Sequence, residues 1–239
     1  GGWRTHLLAR GAVWRDDMWE CYLARLVMSL PSFLRGIWVT VQVSGVSLIL
    51  GTLLGTAAGL LRTRSFKPAR VVIAAYVDVV RGTPYLVQIF VFFFILPEWG
   101  LQMEAYSAAV VSLTLYAGAY ICEIVAGGIE SVSVGQWEAA RASGFNWLQQ
   151  MRLVILPQAL RTILPPLVGQ YVLLIKDSSI VSVIGLTDVT RVGWLTVQRI
   201  PEGLMVFGLV GALYFCVCYP LIRLSAWFER RLTIQELKM

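Results

Sequence analysis

From Gly36 to Leu61 the chain carries no Asp, Glu, Lys or Arg. About 20 helical residues cross the roughly 30 Å hydrocarbon layer of a bilayer. The run is long enough to span, so lipid is the first solvent to consider. The composition agrees. Of 239 residues, 57% are hydrophobic and 14% charged, against about 45–50% and about 25% in a soluble domain. That hydrophobicity excludes a disordered regulator. The formal net charge of +6 rests on too few charged groups for a nucleic-acid binder.

Four further apolar runs follow. The second extends from about 71 to 96 and is interrupted by Asp78, Arg81 and the breaker Gly82-Thr83-Pro84. The third covers about 105–128 and contains Glu123. The fourth covers about 154–175, with Arg161 early and Pro165-Pro166 inside it, and closes at Lys176-Asp177-Ser178-Ser179. The fifth, 203–222, is uncharged. The expected fold class is all-α, a polytopic membrane protein of about five transmembrane helices. In the first run Gly51, Gly55 and Gly59 recur every fourth residue. That spacing puts them on one helix face and lets another helix approach closely.

Loop charges give an orientation. Arg62, Arg64, Lys67 and Arg70 follow the first span with no acid, whereas the loop after the second holds Glu98 and Glu104. Basic loops favour the cytoplasm. The N-terminus is therefore expected outside, and the tail with Arg223, Arg230, Arg231 and Lys238 inside. Residues 1–33 read as an extracytoplasmic or interfacial segment, since Arg4, Arg10, Arg15, Asp16, Asp17, Glu20 and Arg25 interleave with Trp and Leu. Residues 34–228 read as the transmembrane domain and 229–239 as a cytoplasmic tail.

Several chemistries are not expected. The one histidine, His6, sits near the N-terminus. Neither a His-rich metal site nor a Ser-His-Asp triad follows, and no catalytic residue stands out. Cys21, Cys122, Cys216 and Cys218 show no C-x-x-C spacing and read as small apolar residues. No G-x-x-x-x-G-K-[ST] loop occurs, so ATP binding is not expected on this chain. No stretch near the start reads as a cleavable signal peptide. The opening Gly-Gly suggests a processed or trimmed start. No repeat of 20–50 residues is visible, which disfavours an inverted-repeat secondary transporter.

Charges placed in the bilayer are costly, about 2.5–3.5 kcal/mol each at its centre on insertion scales. Asp78 and Arg81 are three residues apart, so they share a helix face and can pair. Glu123 enters from the opposite side to a comparable depth and can also meet Arg81. Thr83 and Pro84 belong to a break that frees backbone carbonyls, tolerated only against protein or a water-filled cavity. Two readings stand for this set: a substrate path, or a buried network that fixes helix packing. Lys176 and Asp177 likewise read either as an interfacial pair or as groups facing a ligand. A zwitterion needs one donor and one acceptor.

The polar segment at about 130–152 is unusually long for this chain. Glu138-Ala139-Ala140-Arg141-Ala142 favours a short helix. Gly144 suits its left-handed stop, Asn146 can cap a second helix from Trp147, and Pro157 suits the first turn of the fourth span. Ala139, Ala142 and Ser143 offer a small-residue face to a partner.

At these residues the chain resembles a family. Glu138-Ala139-Ala140, three residues, Gly144, nine residues, then Val154, one residue, and Leu156-Pro157 is similar to the EAA loop of bacterial ABC-transporter permeases, with Val where Ile is usual. Arg81-Gly82-Thr83-Pro84 with Leu86-Val87-Gln88 resembles a signature of the polar amino-acid permeases. So do Ala119-Tyr120 with Glu123-Ile124, Gly127-Gly128-Ile129, Gly135-Gln136-Trp137-Glu138 and Lys176-Asp177-Ser178-Ser179-Ile180. Departures are Ala126, where the family often has Arg, and Ser133, where it often has Pro. The resemblance runs from about 34 to 228.

The resemblance implies a type I importer permease with a short cytoplasmic coupling helix in the EAA loop, about 130–157. Glu138, Ala139, Ala140, Gly144, Leu156 and Pro157 would couple it to a separate ATPase. No cofactor is expected on this chain, with ATP and Mg on that partner. The implied partners are a second permease, identical or homologous, two ATPase subunits and an extracytoplasmic solute-binding protein, in the bacterial inner membrane. The expected function is the permease subunit of an ATP-driven polar amino-acid importer. The alternatives are a permease for an opine or cystine, or a channel or membrane enzyme. The absence of a convergent His or Cys set speaks against an enzyme.

Overall fold

The computed structural model describes the backbone of residues 2–63, 67–199 and 202–236, and the side chains of 20–63, 67–199 and 202–231. Arg64, Lys238 and the side chains of Arg4, His6, Arg10, Arg15, Asp16 and Asp17 lie outside the described residues. The described residues are almost entirely helical, with no strand among them. Helix α1 spans Gly2–Arg62, so the first apolar run is the end of a much longer helix. It is followed by α2 (Lys67–Gly82), α3 (Tyr85–Phe90) and α4 (Ala105–Glu130). Next come α5 (Val134–Ala142), α6 (Trp147–Gln149), α7 (Leu156–Asp177), α8 (Val189–Val197) and α9 (Gly203–Glu236).

Four stretches are long and apolar enough to cross a membrane: Glu20–Arg62, Ala105–Glu130, Trp147–Ile184 and Gly203–Arg231. The second expected span is a pair of helical pieces, Lys67–Gly82 and Tyr85–Trp99, bent by 105°. The Gly82-Thr83-Pro84 breaker therefore does more than interrupt a straight span. It turns the chain through more than a right angle.

The core is organised around α4, whose buried residues run from Ala108 to Ile129. The glycine stripe of α1 lies against it. A Cβ placed on Gly51 would stand 2.6 Å from the Ala117 Cβ, one on Gly55 2.6 Å from the Ile121 Cβ, and one on Gly59 2.8 Å from the Val125 Cβ. All three pairs advance together along both helices. The two helices therefore run parallel in one register, as first and third spans must. A second cluster packs Phe33 of α1 on Val189 and Val192 of α8 and Val206 and Val210 of α9. Cys122 and Cys218 are buried and Cys21 and Cys216 exposed; all four are free thiols.

Candidate functional site

The break after α2 is built by chemistry that the Pro84 ring dictates. Proline has no N–H, so the Val80 carbonyl loses its helical donor. Gln88, one turn into α3, supplies the replacement. Its Nε2 donates to the Val80 carbonyl at 2.8 Å, to the Thr83 carbonyl at 3.1 Å and to Thr83 Oγ1 at 3.0 Å. The Thr83 hydroxyl donates back to the Val79 carbonyl at 2.8 Å. One amide thus holds the corner. Gln88→Leu removes this donor and leaves the part-buried Val80 carbonyl unsatisfied, at a cost of about 1–3 kcal/mol. The expected result is a lower thermal unfolding transition for the purified chain in detergent. An unchanged transition would sink this account of the corner.

Beside the corner lies a charge cluster that differs from the expected one. Asp78 and Arg81 share a helix but do not pair; among the described residues Asp78 makes no ion pair and is exposed. The amphipathic twist of α2 sends Tyr76, Val77 and Val80 inward against Ala119 and Cys122 of α4 and leaves Asp78 on the outer face. Glu123 collects the cations instead. Its Oε2 accepts from Arg62 Nη1 at 2.6 Å and lies 3.4 Å from Arg81 Nη1. The sequence places Arg62 only among the orientation charges. It reaches Glu123 because the α1–α4 register brings the end of α1 beside the end of α4.

Arg81 also sits over the Tyr120 ring, 5.6 Å from its centroid. Tyr120 stacks on Tyr116 at 4.9 Å, and Tyr116 on Tyr85 at 5.0 Å. Beyond Tyr116, at the end of α7, the half-buried Asp177 brings a carboxylate to the same side of the molecule. Tyr116, Tyr120, Glu123 and Gly127 follow helical spacing, and they form the open side of α4. A polar ladder thus runs from Arg62 through Glu123, Arg81 and Tyr120 to Tyr116, with Asp177 beyond it.

Lys176 and Asp177 do not form an ion pair among the described residues. Lys176 is exposed and Asp177 half-buried. Beyond them a tight 3₁₀ stretch, Ser178–Ile184, ends at Gly185 in the left-handed region, φ 91°. Asp188 then caps α8 by accepting from the backbone N–H groups of Arg191 at 2.9 Å and Thr190 at 3.2 Å. The Tyr214 hydroxyl donates to Asp188 at 3.3 Å, and Arg191 donates to the Ser182 carbonyl at 3.1 Å.

The segment after α4 folds as its residues dictate. Helix α5 ends at Gly144, whose φ of 76° is the left-handed stop. Asn146 and Gln149 form a reciprocal capping box at 2.9 and 3.0 Å. Glu138, Ala139, Ala142, Ser143 and Gly144 are exposed, and Ala140 is buried. Ala140 therefore anchors the helix to the body, and the open face is made by its neighbours. Leu156 is half-buried and Pro157 exposed, at the start of α7. Two glutamines fasten the segment to α7 and its approach. Gln150 Nε2 donates to the Phe145 carbonyl at 2.6 Å, and Gln158 Nε2 to Gln136 Oε1 at 3.2 Å.

Two wide π turns were not anticipated: Val91–Ile95 and Gln150–Ile155. Each precedes the same tripeptide, Ile95-Leu96-Pro97 and Ile155-Leu156-Pro157. A proline lacks the N–H for a regular turn and crowds the carbonyl four residues back, so the preceding turn widens. The repeated tripeptide was the available signal.

Membrane-length helices, one sharply broken span and an exposed helical loop bolted to a Leu-Pro helix start define a transmembrane permease subunit. Residues 47–234 match the family described as "Binding-protein-dependent transport system inner membrane component", and the chain belongs to that family. It is 37% identical over 200 residues to the "Probable glutamine ABC transporter permease protein GlnM" of Bacillus subtilis (strain 168), covering 84% of this chain and 93% of that one. It is 35% identical over 208 residues to the "Glutamine transport system permease protein GlnP" of Escherichia coli (strain K12), covering 86% and 95%. Among solved structures it is similar to one titled "Crystal structure of an amino acid ABC transporter with histidines". The TM-score is 0.80 and the identity 35%, over 88% of this chain and 98% of that one. The chain is thus a permease subunit of the ABC-importer kind, multi-pass in the membrane.

Proposed function

We propose that the chain is one of two permeases, identical or homologous, in an ATP-driven importer of a polar amino acid. The observation that carries this reading is the half-exposed charge on the open side of α4. Side chains of Arg62, Arg81 and Glu123 are 24%, 44% and 38% exposed, with Arg62 at the end of the first span and Arg81 and Glu123 inside the second and third. Lipid cannot solvate them, so such groups face protein or a watery path. Two arginines share one carboxylate, so the cluster holds a standing positive charge. That charge suits a substrate carboxylate, with Asp177 further along the ladder as an acceptor. Five helices are too few to enclose a path, so the second permease closes this face. ATP and Mg²⁺ belong to two separate ATPase subunits, and an extracytoplasmic binding protein delivers the amino acid. The chain lies in the bacterial inner membrane with its N-terminus outside and its tail in the cytoplasm. The relatives named for glutamine support the amino-acid class.

Helix α5 is the element that meets the ATPase, through Glu138, Ala139 and Gly144. The test is Gly144→Asp. A Cβ at Gly144 meets nothing within 4 Å, so its cost is the left-handed backbone alone, about 1 kcal/mol. The variant should insert and assemble, yet lose most substrate-stimulated ATP hydrolysis in proteoliposomes. Full transport by the variant would refute a coupling role for this turn.

A further inference from the structure

The two sides of α9 differ sharply below its midpoint. Toward α7 it buries Cys218 against Val172 and Ile175, with Leu221 beside them, and Ser225 donates to the Pro165 carbonyl at 3.3 Å. The opposite side carries Phe215, Tyr219, Arg223, Trp227, Arg230 and Arg231, all exposed. Arg223, Trp227 and Arg230 stand at i, i+4 and i+7, on one face. Stepping up by fours from Arg223 gives Tyr219 and Phe215, stacked at 5.1 Å between centroids. The Arg231 guanidinium sits 5.4 Å over the Trp227 ring, which pre-orders it. Glu229, the acid of this stretch, projects off that face.

Height along the membrane normal then decides what the face meets. The span Gly203–Arg231 has 29 residues. That is about 43 Å of helix, longer than the roughly 30 Å hydrocarbon layer by about one headgroup layer and its margin. Its uncharged part ends at Ile222, so Arg223–Arg231 occupies about 12 Å at headgroup level. Phe215 and Tyr219 lie above it at acyl-chain level. One side of one helix is therefore aromatic where lipid tails lie and cationic where phosphates lie.

We propose that this side of α9 is a binding site for an anionic phospholipid. The arginines take the headgroup phosphate, Trp227 anchors the glycerol level, and Phe215 and Tyr219 pack along an acyl chain. An acidic surface of a cytoplasmic subunit would match the arginines but not their aromatic continuation into the tail region. The site depends on the chain spanning a membrane and on nothing about the transported solute.

The test uses the full chain in vesicles of equal parts phosphatidylcholine and phosphatidylglycerol, extracted mildly, with retained lipid read by native mass spectrometry. Phosphatidylglycerol is expected to be enriched. R223Q/R230Q/R231Q should lose that enrichment by roughly fivefold per arginine at low ionic strength, while R223K/R230K/R231K keeps most of it. Should the triple glutamine variant fail to fold, Arg230→Gln alone should show the fivefold step. No enrichment in the wild type overturns the proposal. So does enrichment that survives in a folded glutamine variant, whether or not the ATPase subunit is lost on purification.

Discussion

Glu123→Gln is expected to lower the folding equilibrium constant at least tenfold and to abolish uptake. Its carboxylate holds Arg62 at 2.6 Å and lies 3.4 Å from Arg81. Neutralising it leaves the Arg81 guanidinium unpaired inside the second span, beside that of Arg62 at the end of the first. An unpaired arginine costs about 2.5–3.5 kcal/mol at mid-bilayer. Partial exposure of the cluster reduces this, and about 2 kcal/mol for the pair already exceeds the 1.4 kcal/mol that makes a tenfold change. The check is the monodisperse fraction on size exclusion together with amino-acid uptake in proteoliposomes. A variant with wild-type yield would show that the carboxylate does not hold the arginines in place. Arg81→Ala separates the two roles left open for the cluster. It leaves Arg62 and Glu123 paired, so retained assembly with lost uptake assigns Arg81 to the substrate, and lost assembly assigns it to packing.

Gly55→Val should be as damaging by a different route. A Cβ there would stand 2.6 Å from the Ile121 Cβ and 2.7 Å from the Gly118 carbonyl oxygen. Neither neighbour is the tip of a flexible chain, so α1 and α4 must move apart. Overpacking a well-filled contact costs about 1–3 kcal/mol, and separating the helices also loosens Gly51 and Gly59. The expected outcome is a fall in thermal stability large enough to prevent recovery of the assembled permease. Gly45→Ala is the matched control, since nothing lies within 4 Å of a Cβ at that position. Equal stability of the two variants would refute the close α1–α4 contact.

What the sequence revealed followed from local chemistry. Charge-free runs, the glycine stripe, the left-handed Gly144 and the Asn146 cap depend on residues close in the chain, and the structure contains each of them. Partner choice across the chain was less readable. Asp78 and Arg81 looked paired because helical spacing permits it, and the amphipathic face of α2 decided otherwise. Arg62 could be matched to Glu123 only once the α1–α4 register was known. The tyrosine ladder was hidden for the same reason: Tyr120 stood only within the Ala119-Tyr120 motif, and its contact with Arg81 depends on how α2 meets α4. Gln88 was visible as part of a motif, but its duty toward the Val80 carbonyl emerges only from the bent path of the chain.

The wide turn Gln150–Ile155 has a bearing on phase. Such a turn holds one residue more than a regular one, so it sets the angular offset between α7 and everything before it. The exposed face of α5 points where it does because that extra residue is there and because Gln150 and Gln158 lock the setting. From this junction to Asp177 the shaft of α7 is about 33 Å long. A single shaft, with Pro165 and Pro166 inside it, thus joins the junction at α5 to the Asp177 carboxylate. One residue fewer in that turn would leave the helix intact and turn the contact face of α5 by about 100° about the axis of α7, like a camshaft assembled one tooth out.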